Sequence, residues 1–97
     1  MILVHDIFVC KPGNASKMAK LFKETMAENT ELVNIMTDMT GQYNRVVMVS
    51  KYEHLADFEK AMEEYKNPSP EMKKAMEKMK GYTDMYQTGS REIYQIM

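Results

Sequence analysis

Hydrophobic periodicity switches along this chain from a two-residue to a 3.6-residue repeat and back, and the order of those switches restricts the fold more than any other feature. Residues 2–10 are rich in β-branched and aromatic side chains and stop at Lys11-Pro12-Gly13, a turn signal. This is a first strand. Asn14 then stands where a helix cap is expected, and Ala15, Met18, Ala19, Phe22, Thr25 and Met26 recur at three- and four-residue steps among lysines and glutamates. This is an amphipathic first helix. Residues 32–39 alternate, with Val33, Ile35, Thr37 and Met39 on one face and Leu32, Asn34, Met36 and Asp38 on the other. Thr40-Gly41-Gln42 turns the chain, and residues 43–52 resume the extended pattern, so a hairpin is expected.

Leu55, Phe58, Met62 and Tyr65 form one stripe of a second helix, which Asn67-Pro68-Ser69-Pro70 breaks. Pro70 suits the first turn of a third helix, whose buried side is expected to carry Met72, Ala75, Met76 and Met79 and which ends near Gly81. Residues 85–97 are extended, with Gly89 expected as a bulge. Strand, helix, hairpin, helices, strand is the α+β, ferredoxin-like split βαβ order. It places a four-stranded antiparallel sheet under helices that all lie on one face. Strands one to three carry apolar residues on both alternating sets, so the bare face needs a cover, and a second copy of the chain is the simplest one.

Ninety-seven residues fit one domain, residues 1–97, and leave no room for two cores. Thirteen basic residues against fourteen acidic ones give a formal charge of −1, with lysines interleaved among glutamates. No phosphate-binding stripe exists, so no nucleic-acid partner is expected. No run approaches the roughly 18 apolar residues a membrane span needs, and residues 1–10 lack a basic lead and are interrupted by His5 and Asp6. A lone cysteine, Cys10, excludes an internal disulfide framework and fits a reducing compartment, with the cytoplasm as the expected location.

The stretch Phe8-Val9-Cys10-Lys11-Pro12-Gly13 resembles the end of strand one in NIPSNAP-family proteins. Gly41, Asn44-Arg45-Val46-Val47 and Tyr52-Glu53-His54-Leu55-Ala56-Asp57-Phe58-Glu59 are similar to that family's third strand running into its second helix, and Ser90-Arg91-Glu92-Ile93 resembles its closing strand. The resemblance implies a dimeric α/β barrel, a superfamily that also holds antibiotic-biosynthesis monooxygenases, haem-degrading oxygenases and small stress-response proteins. It implies a fold and a homodimer rather than a reaction. The sequence departs from the family at Asp6, where arginine is common, and at His54, where a small capping residue is commoner.

His5 and Asp6 are neighbours on a strand and point to opposite faces, so they cannot form a local acid/base pair. Burying a carboxylate beneath helices costs more than burying a neutral imidazole. Asp6 is therefore expected with Val4 and Phe8 on the bare face, paired to Arg45, and His5 against the helices. Met72, Met76 and Met79 have the one-face spacing of a soft-metal site, but twelve methionines scattered through the chain read as an adaptable core, so no metal is expected. Cys10 lies beside Lys11 and near a helix start, yet no histidine or second cysteine is close in sequence. No tryptophan is available for a haem-degrading constellation, and no cofactor is called for.

Three readings follow. The first is a homodimer that encloses a small apolar ligand between sheet and helices, with Asp6, Asn34, Arg45 and Tyr52 as polar contacts. The second is a cofactor-independent monooxygenase or isomerase, by fold analogy. The third is a purely structural dimer.

Overall fold

The computed structural model describes residues 1–41 and 43–97. In chain order the elements are β1 (Ile2–Cys10), α1 (Ala15–Thr25), β2 (Leu32–Thr37), β3 (Arg45–Tyr52), α2 (Leu55–Lys66), α3 (Pro70–Lys78), a single 3-10 turn (Tyr82–Asp84) and β4 (Tyr86–Gln95). The four strands form one sheet in the order β2-β3-β1-β4, antiparallel throughout. This is the α+β, ferredoxin-like arrangement.

The strand β1 is central, with Phe8 opposite Val46 of β3 and Gly89 of β4. Its even-numbered side chains meet the helices. Phe8 lies 5.3 Å from the Phe22 ring of α1, and Cys10 donates its thiol hydrogen to the Met18 sulfur at 3.3 Å. Met18, Phe22, Cys10 and Val46 are the buried centre of the core, with Phe8, Met48, Tyr82 and Tyr86 packed around them. Because side chains alternate along a strand, Leu3, His5, Ile7 and Val9 occupy the opposite face, which no helix covers.

This reverses the expected orientation of β1. Val4, Asp6 and Phe8 lie beneath the helices and His5 lies on the open face, against Tyr94 at 5.3 Å between rings. The cost of placing the Asp6 carboxylate under helices is offset by Arg91, directly across on β4, whose Nε donates to Asp6 Oδ1 at 2.5 Å. A charge-assisted bond of this kind offsets part of the penalty that argues for the other face. Arg45 is not the partner of Asp6. It donates through its backbone N–H and its Nε to the two oxygens of Asp38, each at 3.1 Å, closing the β2–β3 connection.

Two irregularities adjust the strand edges. Leu32 pairs with Ser50 and Asn34 with Val49, so Val33 is an extra residue in β2 and breaks the expected alternation. Leu32 consequently joins Ile35 on the helix side, while Asn34 and Met36 remain on the open face. Val9 pairs with Thr88 and Cys10 with Tyr86, which makes Gln87 the extra residue in β4. Gly89, expected as the bulge, is in register with Phe8.

The helix starts follow local chemistry in two of three cases. The Ser69 hydroxyl accepts from the Met72 N–H at 3.2 Å ahead of α3, and the Asp57 carboxylate accepts from the His54 N–H at 3.1 Å ahead of α2. Asn14 precedes α1 without a side-chain capping bond. The turn expected at Thr40-Gly41-Gln42 includes Gln42, which lies outside the described residues. Gly41 has φ of 101°, a left-handed conformation that suits glycine, and a Cβ there would meet the Arg45 guanidinium at 2.8 Å.

The third helix departs from expectation in depth. None of its residues is buried, and Met76 is 43% exposed. Its apolar stripe faces a gap rather than a packed core. The fold therefore rests mainly on α1, and Phe22→Ala, at 1% exposure, is expected to cost about 3–5 kcal/mol in urea denaturation. Leu55→Ala, at 48% exposure, is expected to cost less than about 1 kcal/mol. Equal losses for the two would contradict this placement of the core.

Candidate functional site

The gap beneath α3 is a cavity of about 400 Å³ between the helix side of the sheet and all three helices. Its floor comes from Asp6 and Phe8 of β1, Met48 of β3 and Arg91 of β4. The end of α1 supplies Phe22 and Met26, α2 supplies Met62 and Tyr65, and α3 supplies Met76 and Met79. Five of the wall residues are methionines, unbranched and polarizable side chains that accommodate irregular apolar shapes. In this otherwise apolar lining the opposite charges are Asp6 and Arg91.

That pair is well supported. The Arg91 guanidinium carbon lies 5.2 Å from the centre of the Phe58 ring, and Phe58 is itself met edge-on by Tyr52 at 5.6 Å. A cation over an aromatic face gains about 0.5–1 kcal/mol at a partly exposed site. Phe58 thus buries the second helix and steadies the arginine with the same ring. Asp6 is 14% exposed and Arg91 45% at the side chain, so the pair spans the boundary between interior and solvent.

A second cavity of about 400 Å³ adjoins the first and shares Met26, Tyr65, Met76 and Met79 with it. Tyr52, Glu31 and Glu64 lie along this outer space. Burial pushes the phenols of Tyr65 and Tyr52 above their ordinary value, and the nearby Asp6 carboxylate adds to the effect in both. Both hydroxyls therefore stay protonated near neutral pH and serve as hydrogen-bond donors.

Of the residues singled out in the sequence, Asp6 and Tyr52 come to this side of the sheet. Asp6 lines the inner cavity and Tyr52 the outer one. Asn34 is exposed on the open face of the edge strand β2, and Arg45 is held by Asp38 at the hairpin, so neither reaches the cavity. Arg91 is the residue that sequence reasoning missed. Arg91 stands between Ser90 and Glu92, so no apolar contrast marks it in the sequence, and its position opposite Asp6 depends on the β1–β4 register. Cys10 is 2% exposed, and burial followed by the Asp38 charge pushes its thiol up, away from an activated nucleophile. His54 stands exposed at the start of α2. Among the described residues no three His, Cys, Asp or Glu side chains are grouped to hold a metal ion, and no helix is long and apolar enough to cross a membrane.

No protein-family model and no curated protein matches the chain by sequence. Solved structures match it closely in shape. A NIPSNAP-like domain protein from Burkholderia xenovorans superposes with a TM-score of 0.78 at 20% identity, covering 99% of this chain and 84% of that one. A NIPSNAP family protein from Agrobacterium tumefaciens gives 0.74 at 14%, covering 99% and 92%. The fold is that of the NIPSNAP proteins. A candidate antibiotic biosynthesis monooxygenase from Nitrosomonas europaea extends the likeness, with a TM-score of 0.63 at 12% identity over 100% and 99% of the two chains. The NIPSNAP-like frame thus accounts for the whole chain, while identities this low carry architecture alone.

Within that frame, the Asp38–Arg45 clamp gives an acid-sensitivity with a defined sign. Burial pushes the Asp38 carboxyl up, but the bonds from the Arg45 side chain and N–H outweigh it and hold the group below its ordinary value of 3.8. A depressed folded-state value stabilises the protein fully above 3.8, and that contribution is lost as pH falls from there toward the folded value. Urea midpoints measured between neutral pH and pH 2 should fall more steeply below that value in wild type than in Asp38→Asn. Parallel curves would show that the clamp does not titrate with folding.

Proposed function

We propose that this chain is a NIPSNAP-like binding protein whose homodimer holds a small apolar ligand in the cavity between sheet and helices. The observation that carries this is the methionine-walled cavity around the Asp6–Arg91 pair. The space opens to solvent, with Met76 43% exposed on its wall, so a guest can reach it, and covering that apolar wall is favourable. Asp6, Tyr52 and Tyr65 then supply the few polar contacts that orient a mostly apolar guest.

The homodimer is supported by surface area and by the open sheet face. The chain exposes 7073 Å², whereas a folded monomer of 11.3 kDa is expected to expose about 5,700 Å². On the open face Ile7 of β1 pairs with Val47 of β3, which pairs with Met36 of β2, and Leu3 and Val9 flank them half-buried. Val49, between His5 and Asn34 in register, is already 5% exposed there, so the patch is apolar and partly closed on itself. A second copy laid on this face would cover it by symmetry.

An enzymatic reading of the same site, a cofactor-independent oxygenase or isomerase, is motivated by one observation: the cavity lining contains a carboxylate, Asp6, together with the phenols of Tyr65 and Tyr82. The likeness to a candidate antibiotic biosynthesis monooxygenase motivates it further. The purely structural reading is the outcome in which the cavity stays empty.

Light scattering at micromolar concentration is expected to give twice the chain mass, and Ile7→Lys, on the open face, to give a folded monomer by circular dichroism. Native mass spectrometry of protein purified from its own host should show a copurifying small molecule. A wild-type monomer would overturn the dimer, and a clean mass with no guest would favour the structural reading.

A further inference from the structure

Resting on the ligand-binding reading above, we infer that the Asp6–Arg91 pair selects a neutral ligand bearing a carboxamide-like edge, with a hydrogen-bond acceptor and an N–H or O–H donor on adjacent atoms. The contact between the two side chains is single and side-on: Arg91 Nε donates to Asp6 Oδ1, and neither side chain makes another hydrogen bond among the described residues. A guanidinium has five N–H donors and a carboxylate two acceptor oxygens. The pair therefore keeps terminal N–H groups on Arg91 and one oxygen on Asp6 without a protein partner among the described residues, and both residues line the cavity. The Phe58 ring beneath Arg91 limits how far the guanidinium can swing to other partners.

Charge decides which group fits. The pair is neutral as a unit, so a third charge of either sign is attracted by one member and repelled by the other at similar range. That charge would also lose its hydration on entering a methionine-lined space. An amide meets both members without that loss, its carbonyl accepting from Arg91 and its N–H donating to Asp6. Charge-assisted bonds on both sides make this edge worth more than apolar burial alone. The rest of the molecule lies among Met48, Met62, Met76 and Met79, which adapt to its outline.

Four probes with one apolar body test this by isothermal titration calorimetry on the intact protein: 2-naphthamide, 2-naphthoate, 2-naphthylmethylammonium and 2-methylnaphthalene. Wild type is expected to bind the amide at least tenfold more tightly than each of the others. In Asp6→Asn, which leaves Arg91 unneutralised, naphthoate should overtake the amide. In Arg91→Gln, the ammonium should gain at least tenfold relative to naphthoate. Either variant suffices if the other does not fold, with thermal melts as the control. Binding of naphthoate or the ammonium at or above the amide in wild type, or an unchanged order in the folded variants, would overturn the inference. Methylnaphthalene binding as tightly as the amide would overturn it too, while leaving the apolar cavity intact. No binding by any probe would remove both.

Discussion

The central position of β1 is the constraint on which the other features depend. With β3 on one side and β4 on the other, all of its backbone groups are engaged in the ladder, and its two rows of side chains are committed to opposite faces. One row, ending in Phe8 and Cys10, receives α1 through Phe22 and Met18. The other row, from Leu3 to Val9, is left without a helix. Leu3, Ile7 and Val9 stay half-buried as a result, because every helix lies on the other side of the sheet.

The helices are unequally bound to this sheet, and the inequality creates the site. Met18 and Phe22 of α1 are fully buried, α2 is seated through Phe58 alone, and α3 buries nothing. The stripe on α3 is as regular as that on α1, but its residues are methionine and alanine rather than phenylalanine, and they stop short of the sheet. Methionine loses much conformational freedom when fixed, so a wall built of it gains little from tight closure and tolerates a guest. The same composition that makes a soft core makes an adaptable cavity.

Element order, the hairpin and the three helical stripes were legible because each depends on periodicity within one segment. Ser69-Pro70 marked the start of α3, and Lys11-Pro12-Gly13 the end of β1. What escaped was relational. The Val33 and Gln87 bulges shift the pairing of whole strands without leaving a local signal, since neither position carries a glycine or proline. The glycine that did look like a bulge, Gly89, instead pairs in register with Phe8. Tyr52 and Asp6 were placed at a site for their polarity in apolar strands, and they do reach the same side of the sheet. Asn34 and Arg45 were chosen on the same ground, but the open face and the Asp38 clamp claim them.

The orientation of β1 shows why the energetic argument from sequence failed at Asp6. The comparison between burying a carboxylate and burying an imidazole was correct for isolated groups. Asp6 is not isolated, since Arg91 stands across the ladder and the carboxylate side chain keeps 14% of its exposure, and together these offset part of the cost. His5 gains no such partner on the helix side, whereas the open face offers it the Tyr94 ring. The parity of the central strand, and with it the choice of which face becomes cavity, is therefore tied to an arginine 85 residues away in sequence. The ion pair holds Asp6 beneath the helices and at the same time gives the cavity lining its charged feature.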